Sequence, residues 1–141
     1  MIKRGFDFLG ASFFVIFLSP FIFFIFFLVK LSSKGPGFFK QQRVGKKGKL
    51  FNIFKFRTMH VVQASNSLSL TLHNDDRVFP LGRWLRKYKI DEIPQLFNIL
   101  KGEMSFVGPR PEVEKYFQYY TPQEKEKILS LAPGITDIAS L

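Results

Sequence analysis

The sequence predicts a mostly α-helical chain with one small β-hairpin, an α+β fold in which an N-terminal membrane helix precedes a compact, membrane-associated domain. Three observations predict it. Residues 8–29 form an uncharged apolar run that holds nine of the 19 phenylalanines. Residues 41–56 place a β-branched and aromatic run after a glycine-flanked turn, as in a hairpin. From residue 80 onward, apolar side chains recur at helical spacing between proline and glycine signals.

The chain is strongly basic for its 141 residues, with 21 Lys and Arg against 11 Asp and Glu. The formal net charge of +10 indicates an anionic partner: nucleic acid, a membrane surface or a phosphorylated small molecule. Because the charge adjoins the apolar run and no nucleic-acid-binding motif is recognised, we expect no nucleic-acid partner. Cysteine is absent, which excludes disulfides, thiol nucleophiles and cysteine-ligated metals.

The apolar run has a flaw at its centre. As a helix, residues 8–29 would extend about 33 Å, enough to cross a hydrocarbon core of about 30 Å. Pro20 lacks an N–H and predicts a bend or break, and the hydroxyl of Ser19 can bond a backbone group that the proline frees. Basic flanks at Lys3 and Lys34 both favour the cytoplasmic side. From the residues alone, a proline-kinked spanning helix and a re-entrant hairpin broken at Ser19-Pro20 both stay open.

Further elements follow from local signals. Residues 45–48 form the predicted hairpin turn and residues 50–56 a strand. The Ser-rich segment 60–74 is predicted to be a mobile loop; its two histidines, His60 and His73, are predicted to be ordinary surface residues, since a metal site needs more ligands. Helices are predicted over residues 80–87, from about Asp91 to before Gly102, within residues 110–120, and from Pro122, where Thr121 and Glu124 form a capping box.

The stretch "KIDEIP" places two adjacent carboxylates, Asp91 and Glu92, in this basic chain. In the simplest interpretation, Asp91 caps the helix that contains Pro94. A helix start also favours bound phosphate and keeps an aspartate ionised as a nucleophile. Arg86 lies just upstream for phosphate binding, and a Mg²⁺ ion would relieve the repulsion between carboxylates and phosphates. Both interpretations stay open at this point.

A second segment, "KGEMSFVGPRP", is compact and rich in turn residues. Its glycines, among them Gly108, permit close approach of the backbone to a ligand, next to the basic side chain of Arg110. The alternative is a plain loop between two helices.

Taken together, "KRGFDF", "LSPF", "KLSSKGPGFFKQQRVGKKGKLFNIFKFRTM", "DDRVFPLGRWLRKYKIDEIPQLFNILKGEMSFVGPRPE" and "APGIT" closely resemble the bacterial sugar transferase family, the monotopic phosphoglycosyl transferases. The resemblance covers nearly all of the chain apart from residues 60–74. It implies transfer of a phosphosugar from a UDP-sugar to undecaprenyl phosphate, giving undecaprenyl-diphosphate-sugar and UMP. This is the first membrane step in making a cell-surface glycan such as an exopolysaccharide, capsule, O-antigen or glycoprotein.

The resemblance also implies roles for individual residues. Asp91 is the nucleophile that forms a covalent phosphosugar intermediate in a ping-pong mechanism, and Glu92 assists proton transfer; both bind Mg²⁺. Arg86 holds phosphate. Lys55, Arg57 and Arg110 match basic family positions, and we assign them to substrate anions.

Placement in the cell follows from the same resemblance. Ser19 and Pro20 break a re-entrant helix, so residues 1–34 form a membrane helix hairpin with basic flanks and residues 35–141 a cytoplasmic catalytic domain. We expect a monotopic protein on the cytoplasmic face of the bacterial inner membrane, in contact with membrane lipid; a homodimer is compatible with this. Family members usually continue beyond the "PGIT" block, so we expect a C-terminal truncation at Leu141. The alternative function is a non-catalytic membrane-surface module that binds anionic lipid or a partner enzyme.

Overall fold

The computed structural model describes residues 2–61 and 75–137. Its helices and strands are α1 Ile2–Ser32, β1 Phe38–Val44, β2 Leu50–Phe56, α2 Pro80–Lys87, α3 Leu96–Lys101, β3 Ser105–Val107, α4 Glu114–Phe117, α5 Pro122–Ser130 and β4 Gly134–Thr136. Short 3-10 turns cover Lys46–Gly48 and Ile90–Gln95. The predicted class, mostly helical with a small antiparallel hairpin, is confirmed. His73 and most of the predicted loop lie outside the described residues.

Helix α1 continues through Pro20 as one 31-residue helix, so the predicted break is not seen as an interruption. Proline removes the N–H that would bond the carbonyl of Ile16. The hydroxyl of Ser19 donates to that carbonyl at 2.8 Å, as the sequence predicted for a group that the proline frees. Because the carbonyl is satisfied within the helix, the backbone keeps its helical path. By length and composition, α1 is apolar enough to cross a membrane.

One face of α1 packs along the rest of the chain over its whole length. The side chains on this face recur every three or four residues, the spacing of a single helix face. Its buried members are Asp7, Ala11, Ile22, Ile25 and Val29, with the partly buried Val15 and Leu18 between them. The remaining surface of α1 exposes large apolar side chains: Phe6, Phe8, Leu9, Phe13, Phe14, Ile16, Phe17, Phe21, Phe23, Phe24, Phe27 and Leu31.

Both ends of α1 are held by hydrogen bonds to the compact domain. Near the N-terminus, the buried carboxylate of Asp7 accepts a hydrogen bond from the hydroxyl of Ser105 at 2.8 Å. At the C-terminus, the guanidinium of Arg57 donates to the carbonyls of Ser33 at 2.7 Å and Lys34 at 2.6 Å. A helix C-terminus carries unsatisfied carbonyls and partial negative charge, which suits an arginine.

Strands β1 and β2 form the predicted antiparallel hairpin, with Phe38 opposite Phe56 and Val44 opposite Leu50. Lys47 adopts a left-handed backbone conformation in the connecting turn. Asn98, which is fully buried, joins α3 to this hairpin: its side chain accepts from the N–H of Phe54 at 3.0 Å. Pairing of this kind satisfies backbone groups at the exposed edge of a two-stranded sheet.

Helix α2 occupies its predicted residues and packs on the backbone after β2. A Cβ atom added at Gly82 would lie 2.2 Å from the carbonyl oxygen of Thr58, so only glycine permits this approach. Leu85 is fully buried on the same helix. The close packing brings the last turn of α2, with Arg86, against Thr58.

The turn after α2 corrects the predicted role of Asp91 as a helix cap. Lys89 has a left-handed backbone (φ 55°, ψ 21°), which ends α2 and starts the 3-10 turn directly at Ile90. Asp91 therefore lies inside the first turn rather than ahead of it, and no side chain caps this turn. The predicted single helix is a 3-10 turn that contains Pro94 and leads into α3.

The C-terminal segments pair in a way that the sequence did not predict. Strands β3 and β4 are parallel, with Ser105 opposite Gly134. A Cβ atom on Gly134 would lie 2.1 Å from the backbone nitrogen of Gly108, so Gly108 approaches backbone rather than a ligand. On α5, the predicted capping box between Thr121 and Glu124 is confirmed.

Candidate active site

The carboxylate pair lies where the 3-10 turn Ile90–Gln95 packs against β2 and α2. Asp91 is buried, with 9% of its surface exposed. Burial raises the pKa of Asp91; the nearby charge of Lys55 lowers this pKa, that of Glu92 raises it, and that of Arg86 lowers it. The net direction is upward because burial disfavours the charged form of a carboxylate. These couplings place both predicted basic residues within electrostatic reach of Asp91.

Glu92 is oriented by an ion pair. Its Oε1 atom lies 2.5 Å from Nζ of Lys55, and each side chain is about one-fifth exposed, at 22% and 20% respectively. Charge-assisted hydrogen bonds between partly buried groups are stronger and better oriented than exposed ones. The residues come from β2 and from the 3-10 turn, 37 positions apart in sequence. The structure thus brings together two residues that the sequence assigned to the same site.

Arg86 is positioned by a hydrogen bond to the segment after β2. Its Nε atom donates to the hydroxyl of Thr58 at 2.8 Å. The close packing of Gly82 on Thr58 makes this contact geometrically possible. The guanidinium is thereby held next to the carboxylate pair, where its charge acts on Asp91.

A cleft opens beside Glu92 and carries three basic side chains. It is lined by Arg43, Ile53, Lys55, Glu92, Gln95, Arg110, Pro111, Gly134 and Ile135. Of the predicted site residues, Lys55, Glu92 and Arg110 line it. Three cations facing one lining carboxylate make this surface suitable for an anionic ligand.

Arg57 contacts the end of α1 and not the cleft. It is 4% exposed, and its guanidinium donates to carbonyls at the C-terminal end of α1. It does not line the cleft beside Glu92. Arg57 therefore binds a helix end through Nη1 and Nη2, whereas its Nε is buried without a partner among the described residues. Burial lowers the pKa of Arg57. The structure gives no support to our assignment of Arg57 to a substrate anion.

Arg43 and Gln95 belong to the cleft but were not predicted as site residues. The alternation of side chains along the predicted hairpin could have indicated Arg43. In an antiparallel pair, residues opposite one another share a face, and alternate positions share it too. Arg43 is opposite Phe51 and Phe39 is opposite Lys55, so Arg43 and Lys55 lie on one face. Gln95 gave no comparable signal, because it lies in the unpredicted 3-10 turn.

Asp91 and Glu92 are the side chains of this site that could hold a divalent cation. Within residues 2–61 and 75–137, no group of three or more His, Cys, Asp or Glu side chains gathers to hold a metal. Mg²⁺ often takes only one or two carboxylates and completes its shell with substrate phosphates and water. Asp91 and Glu92 supply such a pair. When bound, the ion would neutralise phosphate charge during displacement at phosphorus.

Comparison with known proteins identifies the class to which this site belongs. The chain matches the family model described as bacterial sugar transferase over residues 1–141, and it belongs to that family. Over 110 residues it is 44% identical to an undecaprenyl-phosphate glucose phosphotransferase of Komagataeibacter xylinus, covering 77% of this chain and 21% of that protein.

Two further relatives carry related names. A UDP-glucose:undecaprenyl-phosphate glucose-1-phosphate transferase of Caulobacter vibrioides is 38% identical over 99% of this chain and 53% of its own length. A UDP-N-acetylgalactosamine-undecaprenyl-phosphate N-acetylgalactosaminephosphotransferase of Aeromonas hydrophila is 42% identical over 84% of this chain and 28% of its own length. The chain thus spans between about a fifth and a half of the length of these curated relatives.

Proposed function

We propose that this chain provides the active site of a phosphoglycosyl transferase that moves a phosphosugar from a UDP-sugar to undecaprenyl phosphate. The observation that carries the proposal is the buried Asp91, which feels the charges of Lys55 and Arg86 and precedes Glu92 on the wall of a basic cleft. The names of the relatives support the substrate class, since each contains an undecaprenyl phosphate acceptor. Their sugars differ, so the donor is proposed only as a UDP-sugar.

In the first half-reaction, a carboxylate oxygen of Asp91 attacks the sugar-bearing phosphorus of the UDP-sugar. A bond forms between that oxygen and phosphorus, the bridging phosphorus–oxygen bond breaks, and its electron pair leaves on UMP. The product is an acyl phosphate that links Asp91 to the phosphosugar. Burial favours this step, because a carboxylate with little surrounding water is a better nucleophile than a fully solvated one.

In the second half-reaction, a phosphate oxygen of undecaprenyl phosphate attacks the same phosphorus. The acyl phosphate bond breaks, the electron pair returns to Asp91, and undecaprenyl-diphosphate-sugar is formed. One small site thus serves a soluble donor and a lipid acceptor in turn. The charge on the transferring phosphoryl group requires fixed cations, which Arg86, Lys55 and Arg110 supply. Glu92, held by Lys55, assists proton transfer at the leaving and attacking oxygens.

The placement of α1 supports a monotopic arrangement in which both ends of the helix stay on the cytoplasmic side. The Asp7 and Arg57 contacts tie the two ends to one compact domain. A helix that crossed the bilayer would carry one of these contact regions through the hydrocarbon, at a high cost for its polar groups. The exposed phenylalanine surface of α1 would enter the lipid instead. In the re-entrant placement that we propose, the carboxylate pair would lie within reach of a lipid headgroup.

The surface next to the site also suits a membrane boundary. On α2, Trp84 is 46% exposed, and Tyr88 follows it at 57% exposed, with their rings 5.4 Å apart. Arg83 and Lys87 are exposed on the same helix. Aromatic and basic side chains together are typical of the interface between lipid and water. We assign the protein to the cytoplasmic face of the bacterial inner membrane.

Turnover assays separate this proposal from its rival, a non-catalytic module for anionic lipid or a partner enzyme. The chain in nanodiscs, incubated with a UDP-sugar, undecaprenyl phosphate and Mg²⁺, should release UMP, and Asp91→Asn should abolish that release. The rival predicts salt-sensitive vesicle binding with no chemistry that depends on Asp91. UMP release at the same rate from Asp91→Asn would exclude the proposed mechanism.

A further inference from the structure

Arg43 is the basic residue of the cleft to which neither the sequence nor the proposed mechanism gives a role. It lies near the end of β1 and is half-buried. Arg110, on the segment between β3 and α4, lines the same cleft. Both arginines therefore face the space beside Glu92.

The guanidinium of Arg43 is fixed by two hydrogen bonds from its Nη atoms, and its Nε–H has no partner among the described residues. Nη1 donates to the carbonyl of Pro111 at 3.0 Å, and Nη2 donates to Oε1 of Gln41 at 2.7 Å. Nε is buried and has no hydrogen-bond partner among the described residues. A buried donor without a partner destabilises the folded chain.

The charges around Arg43 make this arrangement unfavourable without a ligand. Burial lowers the pKa of Arg43; the charge of Glu112 raises this pKa and that of Arg110 lowers it. The charge of Glu92 also raises this pKa. Among the described residues, neither Glu112 nor Glu92 forms an ion pair with Arg43. A half-buried cation beside a second cation is stabilised by an anion placed between them.

A purely structural role for Arg43 is already filled in part by the backbone. The N–H of Val44 donates to the carbonyl of Glu112 at 2.9 Å, so β1 holds the loop after Arg110 without the help of the Arg43 side chain. Loss of the single bond from Arg43 to Pro111 would leave that connection in place.

We propose that Arg43 binds a substrate phosphate oxyanion, together with Arg110, in the cleft beside Glu92. The inference rests on the proposed function for the identity of the substrates. Their shared chemistry is a phosphate group, which comes either from the nucleoside diphosphate donor or from the lipid acceptor. The half-buried guanidinium of Arg43 supplies positive charge to the wall of the cleft, and the oxyanion relieves the repulsion between the two arginines.

The test compares Arg43→Gln with Arg43→Lys and with the control Lys40→Gln. Gln keeps a donor for Pro111 but loses the charge, Lys keeps the charge, and Lys40 is an exposed residue on the same strand. Calorimetry measures the Kd of UMP, and steady-state kinetics in nanodiscs measures the KM of UDP-sugar and of undecaprenyl phosphate.

If the ligand is the nucleotide phosphate, Arg43→Gln weakens UMP binding about tenfold or more, and Arg43→Lys recovers part of the loss. If it is the lipid phosphate, UMP binding is unchanged and the KM of undecaprenyl phosphate rises by a similar factor. Either result supports the proposal. Unchanged Kd and KM values, as for Lys40→Gln, would overturn it.

A second measurement keeps the test decisive where a variant folds poorly. Phenylglyoxal modifies accessible arginines, and peptide mass spectrometry locates the modified residue. UMP or undecaprenyl phosphate should slow modification of Arg43 in the unaltered chain; protection by neither contradicts the proposal. Failure to form an Asp91 adduct would instead contradict the proposed function, and UMP protection of Arg43 stays measurable in that case.

Discussion

The ammonium of Lys55 lies 2.5 Å from the carboxylate of Glu92, joining the second hairpin strand to the turn that holds Asp91. This ion pair gives the two adjacent acids different environments. Glu92 is partly exposed and paired, whereas Asp91 is buried and has a raised pKa. Such a division of environments between neighbouring carboxylates is how one site separates a nucleophile from a proton-transfer group.

The ion pair between Lys55 and Glu92 should stabilise the folded chain. Lys55→Gln leaves the carboxylate of Glu92 partly buried without its partner, and we expect a loss of about 1–3 kcal/mol in the free energy of unfolding. In a double-mutant cycle with Glu92→Gln, the second change should cost less, with a coupling of about 0.5–3 kcal/mol. Urea denaturation measures this, with exposed Lys40→Gln as control. Strictly additive losses would show that the pair does not contribute.

The packing of Gly82 on Thr58 should be required for activity. Gly82→Ala places a methyl group 2.2 Å from a carbonyl oxygen, and overpacking of this kind costs about 1–3 kcal/mol. The displaced α2 would carry Arg86 away from the carboxylates, so kcat should fall with stability. Gly5→Ala is the matched control: its Cβ meets nothing within 4 Å, and alanine favours a helix by about 0.5–1 kcal/mol. Equal effects of both changes would refute this account.

The raised pKa of Asp91 should appear in the pH dependence of both activity and stability. In the proposed mechanism Asp91 attacks as the ionised carboxylate, so kcat/KM should fall as the pH drops through a value above the ordinary 3.8. The folded state also binds this proton more tightly than the unfolded state does. The free energy of unfolding should therefore decrease as the pH rises through that window.

Asp91→Asn is the matched variant for the stability measurement. Above the raised pKa, it should be more stable than the unaltered chain. Its free energy of unfolding should be higher by on the order of 1 kcal/mol, which raises the melting temperature by a few degrees. The difference should vanish well below pH 3.8, where Asp91 is neutral in both states. A stability difference that grows on acidification would contradict the assignment.

Helix α1 should have both ends on one side of the membrane. The chain contains no cysteine, so Gly5→Cys and Lys34→Cys each introduce a single thiol at an exposed position. In sealed inside-out vesicles, an impermeant maleimide should label both variants, and in right-side-out vesicles neither. Labelling on opposite sides would establish a spanning helix and exclude the monotopic arrangement.

The sequence predicted the local elements well and the assembled site less well. The hairpin strand, α2 and the capping box at Thr121 follow from nearby residues, because turns and caps depend on a few neighbouring side chains. The bend or break expected at Pro20 does not interrupt α1, and Ser19 bonds the carbonyl that the proline frees, as its position predicted. The Asp91 cap was wrong because the left-handed Lys89 shifts the start of the turn.

The remaining differences between the predicted and the observed structure arise from contacts between segments far apart in sequence. The parallel pairing of β3 with β4 and the backbone approach of Gly108 to Gly134 join segments that show no common pattern. Arg57 resembled a substrate-binding residue in sequence, yet its partners are carbonyls 23 and 24 positions upstream. Only the folded chain shows which cations face the cleft and which hold a helix end.

The central claim is the covalent role of Asp91, and intact mass spectrometry tests it most directly. The chain in nanodiscs is incubated with individual UDP-sugars and Mg²⁺ in the absence of undecaprenyl phosphate, then quenched. We expect a mass increase of one phosphosugar, located on Asp91 by peptide mapping, absent from Asp91→Asn and lost when undecaprenyl phosphate is added. UMP release that depends on Asp91 without any such adduct, or an adduct on another residue, would contradict the account.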